Sequence, residues 1–509
     1  MGELIALMFL AVGMQNRSAR EREKKLQEKF AYKPEPILGD AQLATDKQLR
    51  AAGLFSNSGI PCGYSESGRA LRWDGERGAI TVAPMGEGKN ACQVNPALLG
   101  GLDKETVFFF GVKGDTPAVT SRHRASLGRV YQHLPCGGFL PGMHGKITRH
   151  NVMSILLGPN QPGPYFNQDA RAIAEGLIFK ESVGTEGAFF SHAAMNFAHT
   201  VVMGVALHEP PEKANPRRVY QLFASPKELS AWLEKFMSIT PHEFLKDSLR
   251  MFAGGSMEDR TFSAIVQTVQ QSVDFLKDPS TVEYMSASDC DYSKSQDRVE
   301  THYFTIPVGR QELGARILYL EIAAVLNQLL RPGRRNKRVT MIFDDFGNYG
   351  APPSLERALT AARGFGVRLW PLVQDIQTLS SKYPNSWQSW FTAAGCRVFM
   401  GAQDEQTADF ISKQCGITTV SQWQKSLSDQ TNDARVDPEA YKAGWSRPAV
   451  SRPLVHPHEV RACPKDRMYL FAAGLPNVAV VKRISYFKRW EYAGKYTPDP
   501  YHKRSGFFS

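Results

Sequence analysis

The chain has 509 residues, too many for one hydrophobic core, so two or three domains are expected. Its 42% hydrophobic and 22% charged residues are a globular composition, and seven scattered cysteines without a C-x-x-C pair argue for reduced thiols in the cytoplasm and against a disulfide framework or a zinc site. A net charge of +11 and a pI near 9.2 suit a nucleic-acid or anionic-membrane partner, although basic surfaces are often only solvated faces.

The chain opens with an apolar run, Leu4 to Met14. As a helix of 11 residues it would span roughly 17 Å, short of the ~30 Å hydrocarbon core. No basic residue precedes it, which argues against a signal peptide. Arg17, Arg20, Arg22, Lys24 and Lys25 follow at once, the flank expected at the cytoplasmic end of a membrane helix. The expectation is a membrane-proximal segment over 1–30, with membrane-spanning sequence outside this chain. The alternative is an N-terminal helix packed on protein.

Residues 79–135 read as strand, loop, helix, strand (Thr106 to Phe110), turn, helix, strand (Gly128 to Leu134). Strands alternating with helices predict an α/β parallel sheet. The loop is Ala83-Pro84-Met85-Gly86-Glu87-Gly88-Lys89-Asn90. It has the layout of a phosphate-binding P-loop, in which backbone N–H groups surround the β- and γ-phosphates and the Lys ammonium reaches them. Two positions depart from that pattern: Ala83 replaces the first Gly, and Asn90 stands where a Ser or Thr hydroxyl would hold Mg2+. Pro96 is expected to kink or end the following helix. An ordinary Gly-rich turn remains the bland reading.

From about 160 to 280 the apolar spacing is helical, in Ala170–Ile178, His192–Ala198, Pro226–Met237 and Phe262–Leu276, which predicts an all-α insertion. The strand Thr301–Ile306 returns to the sheet, followed by a helix from Leu313 to Leu330 and the basic turn Arg331 to Arg338. Val339–Phe343 is a β-branched and aromatic run read as a buried strand. It ends in Asp344-Asp345. A carboxylate at the end of a strand beside a P-loop organises Mg2+, and a second acid polarises the attacking water. An Asp pair in a strand-end turn is the alternative. Further strands are expected over Val367–Val373 and Arg397–Gly401, and residues 425–453 read as an exposed polar loop. His123, His456 and His458 lack metal-ligand spacing.

Asp344-Asp-Phe-Gly-Asn-Tyr-Gly350, Leu355 to Gln374 with its Arg363-Gly-Phe-Gly, and Gly401-Ala-Gln-Asp-Glu-Gln-Thr407 together resemble the type IV secretion coupling-protein family, the TraG/TraD- and VirD-type conjugation ATPases. Ala83 to Lys89 is similar to that family's Ala-Pro-Thr-x-x-Gly-Lys loop, and Asn95-Pro-x-Leu-Leu99 supplies its Pro. Lys113-Gly-Asp115 with Thr120 and Arg122-His-Arg124, Gly39-Asp-Ala41 with Ala44-Thr45, and the stretches Leu454–Val460, Met468–Phe471 and Lys482–Tyr486 extend the resemblance over about 38–490.

The resemblance implies a RecA-like P-loop nucleotide-binding domain interrupted by an all-α domain. The divisions expected are 31–155 and 286–495 for the nucleotide-binding parts, 156–285 for the insertion and 496–509 for a tail. It implies a ring, a homo-hexamer, at the bacterial inner membrane, with the bulk of the chain cytoplasmic. It implies recruitment of DNA or a relaxosome, or of secreted protein substrates, and delivery to secretion-channel components with adaptor proteins, using ATP and Mg2+. The departures are Asp345 for the usual Glu, whose shorter carboxylate reaches water less well, and Gly111 for the Asp often found before Lys-Gly-Glu.

Lys89 is expected on the phosphates, Asp344 and Asn90 on Mg2+, and Asp345 on the attacking water. Gln374 is read as a γ-phosphate sensor or as a capped strand end. Arg363 is, by the resemblance, an arginine finger acting on a neighbouring subunit, or else a basic residue meeting a helix dipole. Arg331 to Arg338 holds five basic residues in eight and reads as a solvated turn unless it faces a ring channel. Two functional readings compete: a translocating motor, and a non-hydrolytic platform that docks effectors through its helical domain. A small-molecule kinase would explain the loop but not the later motifs.

Overall fold

The computed structural model describes residues 38–501, apart from 159, 179–184, 254–258, 334–335, 349–351, 422–423, 429–441 and 447–448. The apolar run Leu4–Met14, Arg334 and Arg335 of the basic turn, and Tyr349 and Gly350 lie outside the described residues. Among the described residues, no helix is long and apolar enough to cross a membrane.

The chain forms two compact units: residues up to Gln42 with Ser412–His456, and Leu43–Ile411 with Pro457–Ser509. The larger unit holds a twelve-stranded sheet among the described residues. Its strands in chain order are β1 (Ile60–Tyr64), β2 (Ala70–Trp73), β3 (Ala79–Val82), β4 (Thr106–Val112), β5 (Arg129–His133), β6 (Lys146–Thr148), β7 (Glu300–Ile306), β8 (Val339–Phe343), β9 (Val367–Val373) and β10 (Cys396–Phe399). The smaller unit contributes β11 (Ile417–Ser421), β12 (Gln424–Ser428), β13 (Lys442–Ser446) and β14 (Ala449–Pro453), and β15 (Arg467–Ala472) and β16 (Ala479–Lys482) close the larger sheet.

The sheet order is β2-β1-β16-β15-β10-β3-β9-β8-β4-β7-β5-β6. The strands from β10 to β6 pair in parallel, and β15, β16, β1 and β2 add an antiparallel flank. β4, β7, β8 and β9 are buried at every position, and β4 and β8 accordingly read as near-continuous apolar and β-branched runs, while β7 carries Glu300 and His302 and β9 carries Arg368 into the interior. Phe110 stacks between Phe304 and Phe343, with ring centroids 4.7 and 5.1 Å away, and so ties three neighbouring strands together.

Between β6 and β7 the chain is helical, as expected. The principal helices are Phe166–Leu177, Thr185–His208, Pro216–Ala224, Pro226–Ile239, Glu243–Ala253 and Arg260–Val273. Their apolar faces converge on Phe197, whose ring lies 4.4 Å from Phe252, 5.1 Å from Phe223 and 5.7 Å from Phe262. The fold is α/β with an inserted all-α region.

Two expectations need correcting. Pro96 neither ends nor breaks the segment after the loop. Asn90–Val94 and Ala97–Gly101 wind as π-helix, and Pro96 sits between them in helical conformation. The wider turn accommodates a residue that has no N–H to give, and the kink falls at Gly100 instead. The polar stretch 425–453 is not simply loop: β12 pairs with β13, and β11 pairs with β14. Ala449–Ser451 of β14 are exposed, so no apolar alternation announces that strand. The strand that ends in the acidic pair, β8, is separated from the loop strand β3 by β9.

Candidate functional site

β3 is wholly buried, and the loop that follows it springs from the middle of the sheet. Ala83 N–H donates to the Val373 carbonyl at 2.9 Å, and Met400 N–H donates to the Val82 carbonyl at 2.9 Å, fixing where the loop leaves. Gly86 and Gly88 have φ of 81° and 73°, conformations costly for any residue with a Cβ. The space beside them is open: nothing lies within 4 Å of where a Gly86 Cβ would sit, and only Cys92 Sγ at 3.9 Å beside Gly88. Pro84 is half-buried, and Met85 at the tip is 77% exposed.

β8 delivers the acidic pair to the same place. Asp344 N–H donates to the Phe110 carbonyl at 2.9 Å. Asp345 has φ of 52°, an unusual left-handed conformation for a non-glycine residue. Lys89 Nζ contacts Asp345 Oδ1 and lies 3.6 Å from Asp344 Oδ1. Asn90 Nδ2 donates to Asp344 Oδ2 at 2.8 Å and lies 3.5 Å from Thr116 Oγ1. Asn90 Oδ1 is buried with no hydrogen-bond donor on it.

The electrostatics follow from burial. Asp344 is 3% exposed, and desolvation, with the nearby Asp345 charge, pushes its pKa up to about 6 against the pull of Lys89 and the Asn90 hydrogen bond. Burial disfavours the Lys89 ammonium, but Asp344 and Asp345 together outweigh it and hold its pKa above the ordinary lysine value. The carbonyl oxygen of Asn90 and the Asp344 carboxylate are adjacent hard oxygen donors, the set a Mg2+ ion takes. The open glycine cradle next to a buried ammonium is the set a polyphosphate takes. The residues present therefore fit both groups.

Gln374 is half-buried at the end of β9, on the strand between the loop and the acidic pair. Arg363 is not brought to this cluster. It precedes β9, at the opposite end of the strand, with a side chain 58% exposed that pairs with Glu76 at 2.8 Å. The basic turn is partly consumed by ion pairs. Arg331 pairs with Asp169 and lies 5.0 Å over the Tyr165 ring, and Arg338 pairs with Asp74 at 2.9 Å. His123 pairs with Asp103 at 3.0 Å.

One neighbour of the loop has no counterpart in the motif reading. Arg483, directly after β16, has a side chain 6% exposed that pairs with Glu87 at 2.8 Å. One of its nitrogens, Nη1, is buried with no acceptor. The sequence signal was limited to a strand over Lys482–Tyr486. Nothing in spacing links it to a loop so far away in the chain.

The family described as "Type IV secretory system Conjugative DNA transfer" matches residues 14–505. The conjugal transfer protein TraG of Agrobacterium fabrum is 25% identical over 356 residues, covering 66% of this chain and 53% of that protein. The protein VirD4 of Rhizobium rhizogenes is 25% identical over 465 residues, covering 88% of this chain and 65% of that protein. The chain thus spans about half the length of its TraG relative. The solved structure of the plasmid coupling protein TrwB in complex with ADP and Mg2+ superposes with a TM-score of 0.61 at 14% identity, over 89% of this chain and 94% of that one. That likeness establishes a shared RecA-like fold.

Proposed function

This chain belongs to the type IV secretory system conjugative DNA transfer family, and from that premise we propose that it is an ATP-driven coupling protein: it recruits DNA, as a relaxosome, or secreted protein substrates and delivers them to the secretion channel. The observation that carries the reading is the meeting of Lys89, Asn90, Asp344 and Asp345 at the ends of β3 and β8. Two motifs far apart in sequence with complementary chemistry converge on one point.

In this reading Lys89 exchanges its carboxylate partners for the β- and γ-phosphates, and the N–H groups from Gly86 to Asn90 complete the cradle. Pro84, Met85 and Glu87 shape the loop, and Arg483 holds Glu87 aside. Asp344 and Asn90 Oδ1 would hold Mg2+, which when bound neutralises phosphate charge. Asp345 orients the attacking water, and Gln374 reads the γ-phosphate from the intervening strand. Arg363, remote from its own chain's site, serves a neighbouring subunit, which requires a homo-hexameric ring. The helical region, within 156–285, docks cargo and adaptor proteins. The ring stands at the bacterial inner membrane with most of each chain in the cytoplasm.

One observation favours the platform reading. Asp345 is a short carboxylate, tied to Lys89 and held at positive φ. Steady-state ATPase assays with and without DNA, alongside Lys89→Ala, decide between the two. DNA-stimulated turnover that disappears in the variant supports the motor. An oligomeric protein that binds ATP but turns over no faster than Lys89→Ala is a recruitment platform.

A further inference from the structure

The far edge of the sheet buries a second concentration of polar side chains, unconnected with the phosphate loop. His133 ends β5 and His302 lies in the adjacent parallel strand β7, with Tyr131 in register with His302. Both imidazoles are 0% exposed, and His133 Nε2 lies 3.1 Å from His302 Nδ1. Cys290, in the segment leading into β7, brings its Sγ to the same point, so that three ligand-type atoms lie within 4.8 Å of one another.

The hydrogen count at this point does not close. A neutral imidazole carries one N–H. His302 Nε2 faces Glu300 Oε2 at 3.4 Å, so its hydrogen belongs there and Nδ1 is a lone pair. Tyr284 donates its single hydrogen to Glu321 Oε1 at 2.9 Å, so its oxygen can only accept from His133 Nδ1 at 3.0 Å. His133 Nε2 is then also a lone pair. Two lone pairs face each other, and the one hydrogen at hand is the weakly donating S–H of the Cys290 thiol. Nitrogens bound to one tetrahedral zinc at about 2.0–2.1 Å stand about 3.3 Å apart, close to the separation seen. The outer nitrogens are already oriented as in metal sites, one toward a carboxylate and the other through a tyrosine toward a second carboxylate. That second carboxylate, Glu321, is 0% exposed and is held by two tyrosine hydroxyls and His150.

We propose that His133 Nε2, His302 Nδ1 and the thiolate of Cys290 bind a divalent ion of the zinc class. Binding forms the metal–sulfur bond and releases the thiol proton to solvent. Cys290 lines an open cleft of about 380 Å³ with His150 and Tyr292, which gives the ion a route in and water for the fourth position. The ion pins the segment between the helical region and β7 onto the neighbouring strands β5 and β7. It has a structural role, independent of the ATPase reading. No motif in the sequence betrays it, because positions 133, 290 and 302 meet only in the fold.

The test uses the full chain, purified without chelators or immobilised-metal resin. Elemental analysis is expected to find about one zinc per chain. Cobalt(II) added to metal-stripped protein is expected to give the near-ultraviolet thiolate-to-cobalt charge-transfer band. Cys290→Ser, at a partly buried position, removes that band while circular dichroism stays unchanged, and Glu300→Gln weakens cobalt binding roughly ten-fold. Absence of retained metal together with absence of the band overturns the proposal, and the cluster then closes on an extra proton. A band that survives in Cys290→Ser overturns it equally.

Discussion

Both ends of the parallel sheet hold charged side chains wholly or partly out of water and treat them in opposite ways. At the end where the strands begin, Arg368 is 0% exposed and pairs with Glu105, while its Nε donates to Thr340 Oγ1 at 3.1 Å and Thr340 donates to Glu105 Oε2 at 2.7 Å. Arg124, also 0% exposed, places Nε on Thr301 Oγ1 and its two terminal nitrogens on the carbonyls of Leu102 and Glu105, each at 2.7 Å. At the end where the strands finish, Lys89 bridges two carboxylates, Asn90 Oδ1 has no donor, and Asp345 sits at positive φ. The first arrangement is closed and holds strands together. The second is left open, and an open set of buried donors and acceptors is what a ligand can complete.

The largest expected effect breaks the closed end. Arg368→Met leaves the buried Glu105 carboxylate with only Arg338, 3.7 Å away, and is expected to cost about 3 kcal/mol. Denaturant unfolding measures it, and the folded fraction should keep its ATP affinity. At the open end the pattern reverses: Asp344→Asn is expected to lower turnover by at least about 100-fold, while the melting temperature holds or rises because a desolvated charge is gone. If both variants lose stability and activity together, the two ends are not separable and the contrast fails.

A smaller effect sharpens it through pH. In the proposed role Asp344 would have to be ionised to take Mg2+, and burial raises its pKa to about 6, so turnover is expected to fall as pH drops through that value. The stability sign is opposite to that of an ordinary paired carboxylate. Asp344 holds its proton more tightly folded than unfolded, so its contribution to stability declines as pH rises from 3.8 to about 6. Asp289, lowered to about 2 despite some burial by Lys146 and Arg149, contributes stability above 3.8 that is lost as pH falls through about 2. Thermal melts of wild type and Asp344→Asn across that range read the difference. The smallest effect is at the loop's flank: Arg483→Ala releases Glu87 and is expected to weaken nucleotide binding several-fold, or about 1 kcal/mol, by titration calorimetry.

What could be read from sequence was whatever is local. Val339–Phe343 and Val367–Val373 are found at the residues expected, because strands buried on both faces write themselves as mostly apolar runs, interrupted in the second only by Arg368. The loop and the acidic pair were legible for the same reason, each being a short contiguous signal. The placement of β9 between them, the Arg483–Glu87 pair and the meeting of His133, Cys290 and His302 are products of tertiary topology. No window of residues contains them. The π-wound stretch around Pro96 was missed because the standard rule treats proline as a helix breaker and makes no allowance for a wider turn.

Met85, the 77% exposed tip of the loop, gives the molecule a built-in chemical reporter. Dilute peroxide converts an accessible thioether to the sulfoxide, and a ligand seated against the loop slows that conversion. Peptide mass spectrometry of the unlabelled protein, timed against added nucleotide, therefore yields an occupancy curve for this loop even inside a large assembly, where calorimetry and fluorescence would average over every other site.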